Sequence, residues 1–331
     1  MTPTRPFTRR AAPLALLSAL WLAGCGGKSS QPAGPAGDNS GERLVVFASD
    51  GGRPAGDHGI ALYDFDLGAF HSLAGLDDVG SESDPCISND GNFVVFSATR
   101  GSGATGSDIY IYDRLKQALL PTPGLNTARN ESWPRFTYDS VHLAFVTSLA
   151  TGERRVRLYE PFGDTLIALP GLDATPGSSD DMPAPNVDGS RIAFVSTRNG
   201  SVDVLVWNRV GGITPIAGLA TADGEVEPSL SPNGRWLAFA SDRPGGAGGI
   251  DVFLYDLVAD SLVALPGLNS AGDDRHPSVS ADGDVIVFQS DRTGGGGQFD
   301  LYRFTRSSGV LDQPAVLKDA SDDIQPYLRW R

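Results

Sequence analysis

The sequence predicts an all-β protein, a six-bladed β-propeller of four-stranded antiparallel blades. A phenylalanine that closes an apolar run recurs in six copies at intervals of 49, 49, 49, 45 and 49 residues. A proline recurs with it in six copies, and no helical periodicity survives across any unit. The markers are Phe47, Phe96, Phe145, Phe194, Phe239 and Phe288, and Pro85, Pro134, Pro185, Pro228, Pro277 and Pro326. Four short strands per unit at this period are typical of propellers.

Within each unit, strand A is predicted to follow the proline, and strand B ends near the phenylalanine. An Asp-Gly, Asn-Gly or Asp-Ser pair lies between them and favours the positive φ of a tight hairpin. Strand C ends in Tyr-Asp or a similar pair, and strand D leads into Pro-Gly-Leu or Ala-Gly-Leu. Strands B and C are apolar on both faces, as expected for small sheets packed between neighbours.

The two ends of the folded part complement each other. The first segment, "RLVVFAS", resembles a strand B, and the last, "IQPYLRWR", resembles a strand A. The C-terminal strand is therefore predicted to pair into the first blade, which closes the ring and removes an open sheet edge.

The glycine-rich stretch "FASDRPGGAGGIDVFLYD", Phe239 to Asp256, could be a phosphate-binding loop or a connection between strands. The G-x-x-x-x-G-K-[ST] pattern is absent, and the residues that follow favour a strand where a phosphate loop needs a helix. The same order of residues recurs 49 positions later. The stretch is therefore interpreted as the loop between strands B and C.

The N-terminus has the features of an exported lipoprotein. Residues 1–24 combine three arginines with an apolar stretch too short to span a membrane, and they are interpreted as a signal peptide. The stretch ends in "LAGC", which resembles a lipobox and predicts lipidation of Cys25; the alternative is an ordinary secretory signal. Residues 25–42 are Gly-, Ser- and Pro-rich and are predicted to be a tether, and residues 43–331 form the propeller. Gly26, the residue after the predicted lipidation site, favours a location at the outer membrane.

Composition limits the classes of partner. The chain carries a net charge of −14, or −17 without the three arginines of residues 1–24. Such a surface repels nucleic acid and anionic lipid. The only cysteine besides Cys25 is Cys86, at the start of a predicted strand, where a buried packing role is expected. A domain without a disulfide must be stabilised by its own core.

The repeat resembles the WD-like repeat of the TolB family of six-bladed propellers. The shared pattern is P-x-x-S-x-[DN]-G, an apolar strand ending in phenylalanine, and then S-D-R-x-G. It is matched by Pro228, Ser231, Asn233, Gly234, Phe239, Ser241, Asp242, Arg243 and Gly245, and again by the residues 49 positions later. The resemblance covers residues 43–331. It implies a propeller that holds a partner lipoprotein or peptide segments. TolB proteins carry an α/β domain before the propeller, where this sequence has only the tether, so a role in the Tol–Pal system is not implied.

Catalytic signatures are few. The repeated Ser-Asp-Arg triplets are interpreted as loop hydrogen bonding and an ion pair at the blade edge, because a catalytic pair would be needed only once. G-x-S-x-G, H-E-x-x-H and C-x-x-C are absent. Of the four histidines, only His276 is expected near the channel. The sequence therefore predicts no catalytic residues, no cofactor and no metal site, with Ca²⁺ the one ion considered.

Acidic residues recur in the predicted D–A loops, which meet at one mouth of the channel. The predicted partner-binding residues are Asp84, Glu131, Asp181, Glu225, Glu227, Asp273, Asp274, His276, Asp322 and Asp323. Such a face would attract a cationic peptide segment. The alternative is that these acids are neutralised by Arg100, Arg198, Arg243 and Arg292 in the B–C loops.

These observations predict a lipid-anchored envelope protein whose propeller is a non-catalytic module that binds a protein or a cationic peptide. The alternative is a metal-assisted lyase or hydrolase acting on saccharides in the channel. That activity would require several histidine and acidic side chains to converge on one ion.

Overall fold

The computed structural model describes residues 43–51, 57–76, 80–99, 106–161, 163–172, 176–216, 218–219, 221–296 and 298–329. These residues form six four-stranded antiparallel sheets, which we call blades 1 to 6. Within a blade, strands A to D run from the channel outward. The predicted fold class is therefore confirmed.

The strand bounds follow the repeat. Blade 1 contains β1 (Leu44–Ser49), β2 (Gly59–Asp64), β3 (Ala69–Phe70) and, as its strand A, β24 (Asp323–Arg329). Blade 2 contains β4 (Glu82–Ile87), β5 (Phe93–Ala98), β6 (Asp108–Asp113) and β7 (Ala118–Leu120). Blade 3 contains β8 (Glu131–Phe136), β9 (Leu143–Ser148), β10 (Arg154–Glu160) and β11 (Thr165–Ile167).

Blades 4 to 6 repeat the order A, B, C and D. Blade 4 contains β12 (Asp180–Pro185), β13 (Arg191–Ser196), β14 (Asp203–Asn208) and β15 (Gly212–Thr214). Blade 5 contains β16 (Glu225–Leu230), β17 (Trp236–Ser241), β18 (Asp251–Asp256) and β19 (Ser261–Val263). Blade 6 contains β20 (Asp274–Val279), β21 (Val285–Ser290), β22 (Asp300–Thr305) and β23 (Val310–Asp312), and one short 3₁₀ helix, η1 (Ala315–Leu317), follows it.

Ring closure follows the prediction. β24 pairs antiparallel with β1, so that Leu44 lies opposite Arg329 and Ser49 opposite Asp323. The first blade is thus assembled from both ends of the described chain, and β1 has a partner on each side. An unpaired β1 would expose a row of backbone N–H and C=O groups.

The core consists of six apolar clusters, each shared by two neighbouring blades. One cluster joins Val46 and Leu62 of blade 1 to Val94 and Phe96 of blade 2, and the other five have the same arrangement. Each marker phenylalanine is at most 3% exposed. Burying one such side chain stabilises the fold by roughly 1.5–3 kcal/mol.

The A–B turns form as predicted. Gly91, Gly189, Gly234 and Gly283 have φ between +67° and +73°, and Ser140 has φ +60° at the equivalent position. The side chain before each glycine or serine accepts local hydrogen bonds, which fixes the turn. Asn233, for example, accepts bonds from the Ser231 hydroxyl at 2.7 Å and the Arg235 amide at 3.0 Å.

The start of strand A differs from the prediction. Strand A begins three residues before the proline in blades 2, 3, 5, 6 and 1, and it contains most of the predicted binding acids that the sequence assigned to the D–A loops; Asp273 and Asp322 remain in those loops. In blade 4 the equivalent proline is Pro183, two residues before the predicted marker. Pairing between strands A and B shifts register just before or at this proline in each blade, which is a β-bulge.

None of the helices in the described residues is long and apolar enough to span a membrane. Cys25 and the predicted segments 1–24 and 25–42 lie outside the described residues.

Candidate functional site

Six residues that precede the strand A prolines form a ring around the channel. They are Asp84, Trp133, Met182, Glu227, His276 and Gln325, and each has a positive φ between 48° and 56°. A non-glycine residue in this region is uncommon, and its recurrence in all six blades reflects the bulge. We call these residues the pre-proline ring.

Two side chains of the pre-proline ring stack across the channel. The rings of Trp133 in blade 3 and His276 in blade 6 lie 5.8 Å apart, with an interplanar angle of 17°. Glu227 accepts bonds from the His276 amide at 2.8 Å and from Arg275 at 2.8 Å, and its Oε1 lies 3.2 Å from His276 Nε2. Burial lowers the pKa of His276, although Glu227 acts in the opposite direction.

A second pair in the ring links neighbouring blades. Gln325 Nε2 donates to Asp84 Oδ1 at 2.9 Å, and the Asp84 amide donates to Gln325 Oε1 at 2.9 Å. Asp84 also accepts the Ser97 hydroxyl at 2.7 Å. The Asp84 carboxylate is therefore part of the seam between blades 1 and 2.

The acid that opens strand A is buried in every blade. These residues are Glu82, Glu131, Asp180, Glu225, Asp274 and Asp323, each at most 3% exposed. In blades 4, 5 and 6 this acid pairs with the arginine of the B–C loop, with N–O distances of 2.7 Å for Asp180–Arg198, 2.7 Å for Glu225–Arg243 and 2.6 Å for Asp274–Arg292. The predicted ion pair forms, but its acid comes from strand A.

Blades 1 and 3 lack this arginine, because Gly51 and Leu149 occupy its position. In blade 3, Glu131 instead accepts the hydroxyls of Thr127 at 2.6 Å and Thr147 at 3.3 Å. In blade 1, burial and, to a smaller extent, neighbouring acids raise the pKa of Asp323 to about 7, although a hydrogen bond from Ser49 acts in the opposite direction. Arg100, the candidate arginine of blade 2, lies outside the described residues.

Asp181 is a further buried acid of the predicted set. Its carboxylate pairs with Arg154 at 2.8 Å and accepts the Met182 amide at 3.0 Å. Burial raises the pKa of Asp181, and Arg154 opposes this effect. Asp181 therefore does not contribute an open carboxylate to the channel mouth.

The glycine loop after strand B is held by the acid that opens strand C. Asp251 accepts the amides of Ala247 at 3.0 Å and Gly248 at 3.2 Å. Asp300 accepts the Gly296 amide at 2.9 Å in the next blade. The loop amides thus bind a carboxylate of their own chain, in agreement with the predicted structural role.

Five aspartates lie on the D–A and B–C loops of blades 5, 6 and 1. They are Asp50, Asp242, Asp273, Asp291 and Asp322, which we call the acidic arc; Asp242 and Asp291 are exposed and the other three are half-buried. One oxygen of each accepts a loop amide at 2.7–3.0 Å. Among the described residues, none of the five pairs with a lysine or arginine; His58 lies 3.9 Å from Asp322.

The structure thus separates the ten predicted binding residues into three groups. Asp273 and Asp322 belong to the acidic arc; Asp84, Glu227 and His276 belong to the pre-proline ring. Glu131, Asp181, Glu225, Asp274 and Asp323 are buried within the blades. The described residues contain no group of three or more His, Cys, Asp or Glu side chains arranged to hold a metal ion.

A cavity of about 40 Å³ lies in the channel. Its lining residues are pre-proline ring members or follow them along strand A, so the cavity lies on the A–B turn side of the ring. Trp133, Arg135, Tyr138 and Tyr327 form part of its wall. The acidic arc lies at the opposite end of the strands.

No protein-family model and no curated protein matches the sequence. Solved structures do match. TolB of Acinetobacter baumannii superposes with a TM-score of 0.64 and 18% identity, over 88% of this chain and 67% of that one. A structure assigned to TolB of Agrobacterium tumefaciens gives 0.58 and 16%, over 88% and 98%. The chain has the six-bladed propeller fold of these TolB structures.

The same fold occurs in proteins with other functions. An oligogalacturonate lyase in complex with manganese superposes on the chain with a TM-score of 0.54 and 13% identity, over 81% of this chain and 73% of the lyase. At such identities the likeness establishes the fold alone, so function must be argued from the side chains of this propeller.

Proposed function

We propose that this protein is a lipid-anchored envelope protein whose propeller binds a cationic segment of a protein or peptide without catalysing a reaction. The observation that carries the proposal is the acidic arc. Its five aspartates lie on loops of three neighbouring blades and are at least partly exposed, and within the described residues they have no lysine or arginine partner.

The acidic arc can bind a cationic ligand with little loss of side-chain conformational entropy. Each aspartate is already oriented by a backbone amide, so a ligand does not have to immobilise it. One exposed ion pair contributes only about 0.2–1 kcal/mol. Several on one rigid face give useful affinity, and their summed field accelerates encounter with a cationic partner.

The proposal also includes the location. We propose a mature protein that begins at Cys25, is acylated there and is held at the outer membrane by the tether of residues 25–42. The LAGC stretch and Gly26 support this, as does the structural likeness to TolB proteins. Mass spectrometry of the mature N-terminus tests it, and an unmodified Cys25 contradicts it.

The alternative is a metal-assisted lyase or hydrolase acting on saccharides. It would need a set of ligands around one ion, and the described residues offer no such group. The likeness to a manganese-bound lyase concerns the fold. Metal analysis of the purified protein distinguishes the two functions, since a stoichiometric ion together with saccharide cleavage would favour the enzyme.

The decisive test neutralises the arc without changing its shape. Asparagine keeps the oxygen that accepts each loop amide, so Asp242→Asn, Asp273→Asn, Asp291→Asn and Asp322→Asn are combined in one variant. Binding of a fluorescent oligolysine peptide is measured by anisotropy at low salt. Four lost ion pairs at about 0.2–1 kcal/mol each should weaken binding at least about fourfold.

The A–B turns offer a matched control on the opposite face. Asp90, Asp139, Asp188 and Asp282 lie there, and Asn233 fills the same position in blade 5. Changing these four acids to asparagine removes the same charge and should leave peptide binding nearly unchanged. Equal losses in both variants would mean that only net charge acts, which would contradict the proposal.

The natural partner is then sought by crosslinking the anchored protein in its own cells. A partner captured by the wild type and the control, and lost by the arc variant, would support the proposal. Capture that is equal in all three proteins would count against the arc.

A further inference from the structure

The channel cavity on the A–B turn side is a separate feature from the acidic arc. Its wall combines Trp133, Tyr138 and Tyr327 with Met182 and one guanidinium, that of Arg135. Its volume of about 40 Å³ is room for roughly three water molecules. Such a space admits a small polar group, and the remainder of a ligand must extend toward solvent.

In blades 2, 5 and 6 a repeated hydrogen bond closes this part of the channel. The residue after the strand A proline accepts a backbone amide from the next blade. The Sγ atom of Cys86 accepts the Phe136 amide at 3.4 Å, and Ser278 Oγ accepts the Leu328 amide at 2.8 Å. Ser229 Oγ accepts the Val279 amide at 3.1 Å.

This hydrogen bond is missing at two consecutive blade interfaces, between blades 3 and 4 and between blades 4 and 5. Arg135 follows the proline in blade 3, and the residue it would meet in blade 4 is Pro185, which has no N–H. Ala184 follows the proline in blade 4, and its side chain has no acceptor for the Leu230 amide. Arg135, Ala184, Pro185 and Leu230 all line the cavity. A cation and a residue with a backbone donor therefore line the same space, which the pre-proline ring members Glu227, His276 and Gln325 line as well.

The Arg135 guanidinium is held in place from one side. Its Nη1 atom donates to the carbonyl oxygens of Asp84 at 2.9 Å and Pro134 at 2.9 Å. Its Cζ atom lies 5.8 Å from the Trp133 ring centre and 5.5 Å from that of Tyr327. These contacts fix the plane of the guanidinium and leave its other nitrogens available.

Arg135 has no counterion in the part of the chain that the structure describes. Nε and Nη2 make no hydrogen bond there, and no carboxylate oxygen lies within 4.0 Å. The nearby acids are already engaged: Glu227 binds Arg275 and His276, and Asp84 binds Ser97 and Gln325. A guanidinium whose Nε and Nη2 atoms can both still donate is suited to binding the two oxygens of a carboxylate.

We propose that this cavity binds the carboxylate of a ligand. Nε and Nη2 of Arg135 would donate to its two oxygens, and the Leu230 amide would donate to one of them. The rings of Trp133, Tyr138 and Tyr327 would contact the carbon atoms next to the carboxylate. A peptide C-terminus and a small free acid share this chemistry, and the test separates them.

The test uses the full-length protein and three probes. Sodium acetate represents a small free acid, N-acetyl-alanyl-alanine represents a peptide C-terminus, and the C-terminal amide of that peptide is the uncharged control. Binding is followed by NMR through the Trp133 indole N–H and the Leu230 amide. The acids should shift both signals, and the amide should bind about tenfold or more weakly. A tighter peptide acid indicates a peptide C-terminus, and equal binding of both acids indicates small acids.

Two variants test the two donors. Arg135→Gln should weaken the acids about tenfold or more, and Ala184→Ser should do the same by placing an acceptor against the Leu230 amide, as Ser229 and Ser278 do in their blades. The control is Arg209→Gln, because Arg209 is an exposed arginine outside the cavity. Ala184→Ser keeps the test valid if Arg135→Gln fails to fold.

The proposal fails on any of three results. The first is that neither acid shifts the Trp133 or Leu230 signals, and the second is that acid and amide bind equally. The third is that a folded Arg135→Gln protein binds the acids as the wild type does. None of these outcomes depends on the acidic arc.

Discussion

The ion pair between strand A and the B–C loop gives a sharp prediction for stability. Arg243 is 6% exposed and Glu225 is fully buried. Arg243 Nη2 donates to Glu225 at 2.7 Å, and Nη1 donates to the Gly218 carbonyl at 3.0 Å. The Arg243 Cζ atom also lies 4.7 Å from the Phe239 ring centre. Arg243→Met keeps the apolar contact and removes the charge and its hydrogen bonds.

The expected loss in the free energy of unfolding follows from the contacts that Glu225 keeps in Arg243→Met. Glu225 keeps the Thr221 hydroxyl at 2.6 Å but loses its counterion in a site closed to solvent. Breaking a buried pair by removing one partner costs roughly 3–5 kcal/mol. Burial already raises the pKa of Glu225 against the effects of Thr221 and Arg243. Without Arg243 that pKa rises further, so the loss should shrink as the pH falls.

Urea unfolding followed by circular dichroism measures the change in the free energy of unfolding. Lys116→Met is the control, because Lys116 pairs with Asp113 but is 71% exposed, so its pair is screened by water. Adding Glu225→Gln to Arg243→Met should recover part of the loss. If Arg243→Met and Lys116→Met cost the same, the buried pair is not a stabilising element and the reasoning is wrong.

Three further outcomes are expected. Burial raises the pKa of Asp323 to about 7, well above that of an ordinary aspartate, so the fold is most stable while Asp323 is protonated. About 4 kcal/mol of the free energy of unfolding is lost as the pH rises from 4 through 7, and Asp323→Asn should remove this loss in urea titrations. Cys86 is buried and its pKa is raised to about 11, so a thiol reagent at pH 8 should label it only after unfolding. Gly283→Ala should destabilise more than Gly309→Ala by thermal unfolding: both glycines have positive φ, but only at Gly283 would the new Cβ meet Trp236, at 2.5 Å.

Each of these three predictions would be contradicted by a specific result. Parallel pH profiles for the wild type and Asp323→Asn would show that Asp323 titrates normally. Rapid labelling of Cys86 in the native protein would mean that blades 2 and 3 separate readily. Equal losses for the two alanine variants would mean that strain at positive φ dominates and the contact with Trp236 relaxes.

The sequence could predict the blades because their markers are local. Phe239 closes a run of apolar residues, and Asn233-Gly234 forms a tight turn whatever its neighbours are. The ring closure followed from the strand types at the two ends. These features depend on spacing and on residue type, and both can be read along the chain.

The bulge at the prolines could not be predicted in this way. The residue before a proline normally favours an extended conformation, so strand A was expected to begin at the proline. Glu227 and the other ring members instead have positive φ, since the bulge turns them into the channel. That geometry depends on how strand A pairs with strand B.

The ion pairs were predicted without their acidic partners. Asp180, Glu225 and Asp274 each precede their arginine by 18 residues, and this constant spacing was a usable signal. The cavity at Arg135 carried no such signal, because it depends on Pro185 and Ala184 meeting Arg135 and Leu230 across a blade interface. Contacts between repeats become visible only when the repeats are assembled.

The pre-proline ring has a consequence for how propellers of this kind diversify. Its backbone shape is set by the bulge and the proline, both of which recur in all six blades, whereas its side chains differ in every blade. A substitution in the ring changes the side chain that one blade presents to the channel and leaves the strand pairing of that blade in place. Gene duplication of a single blade would therefore supply six equivalent positions, and later point mutations could specialise each one separately without disturbing the ring.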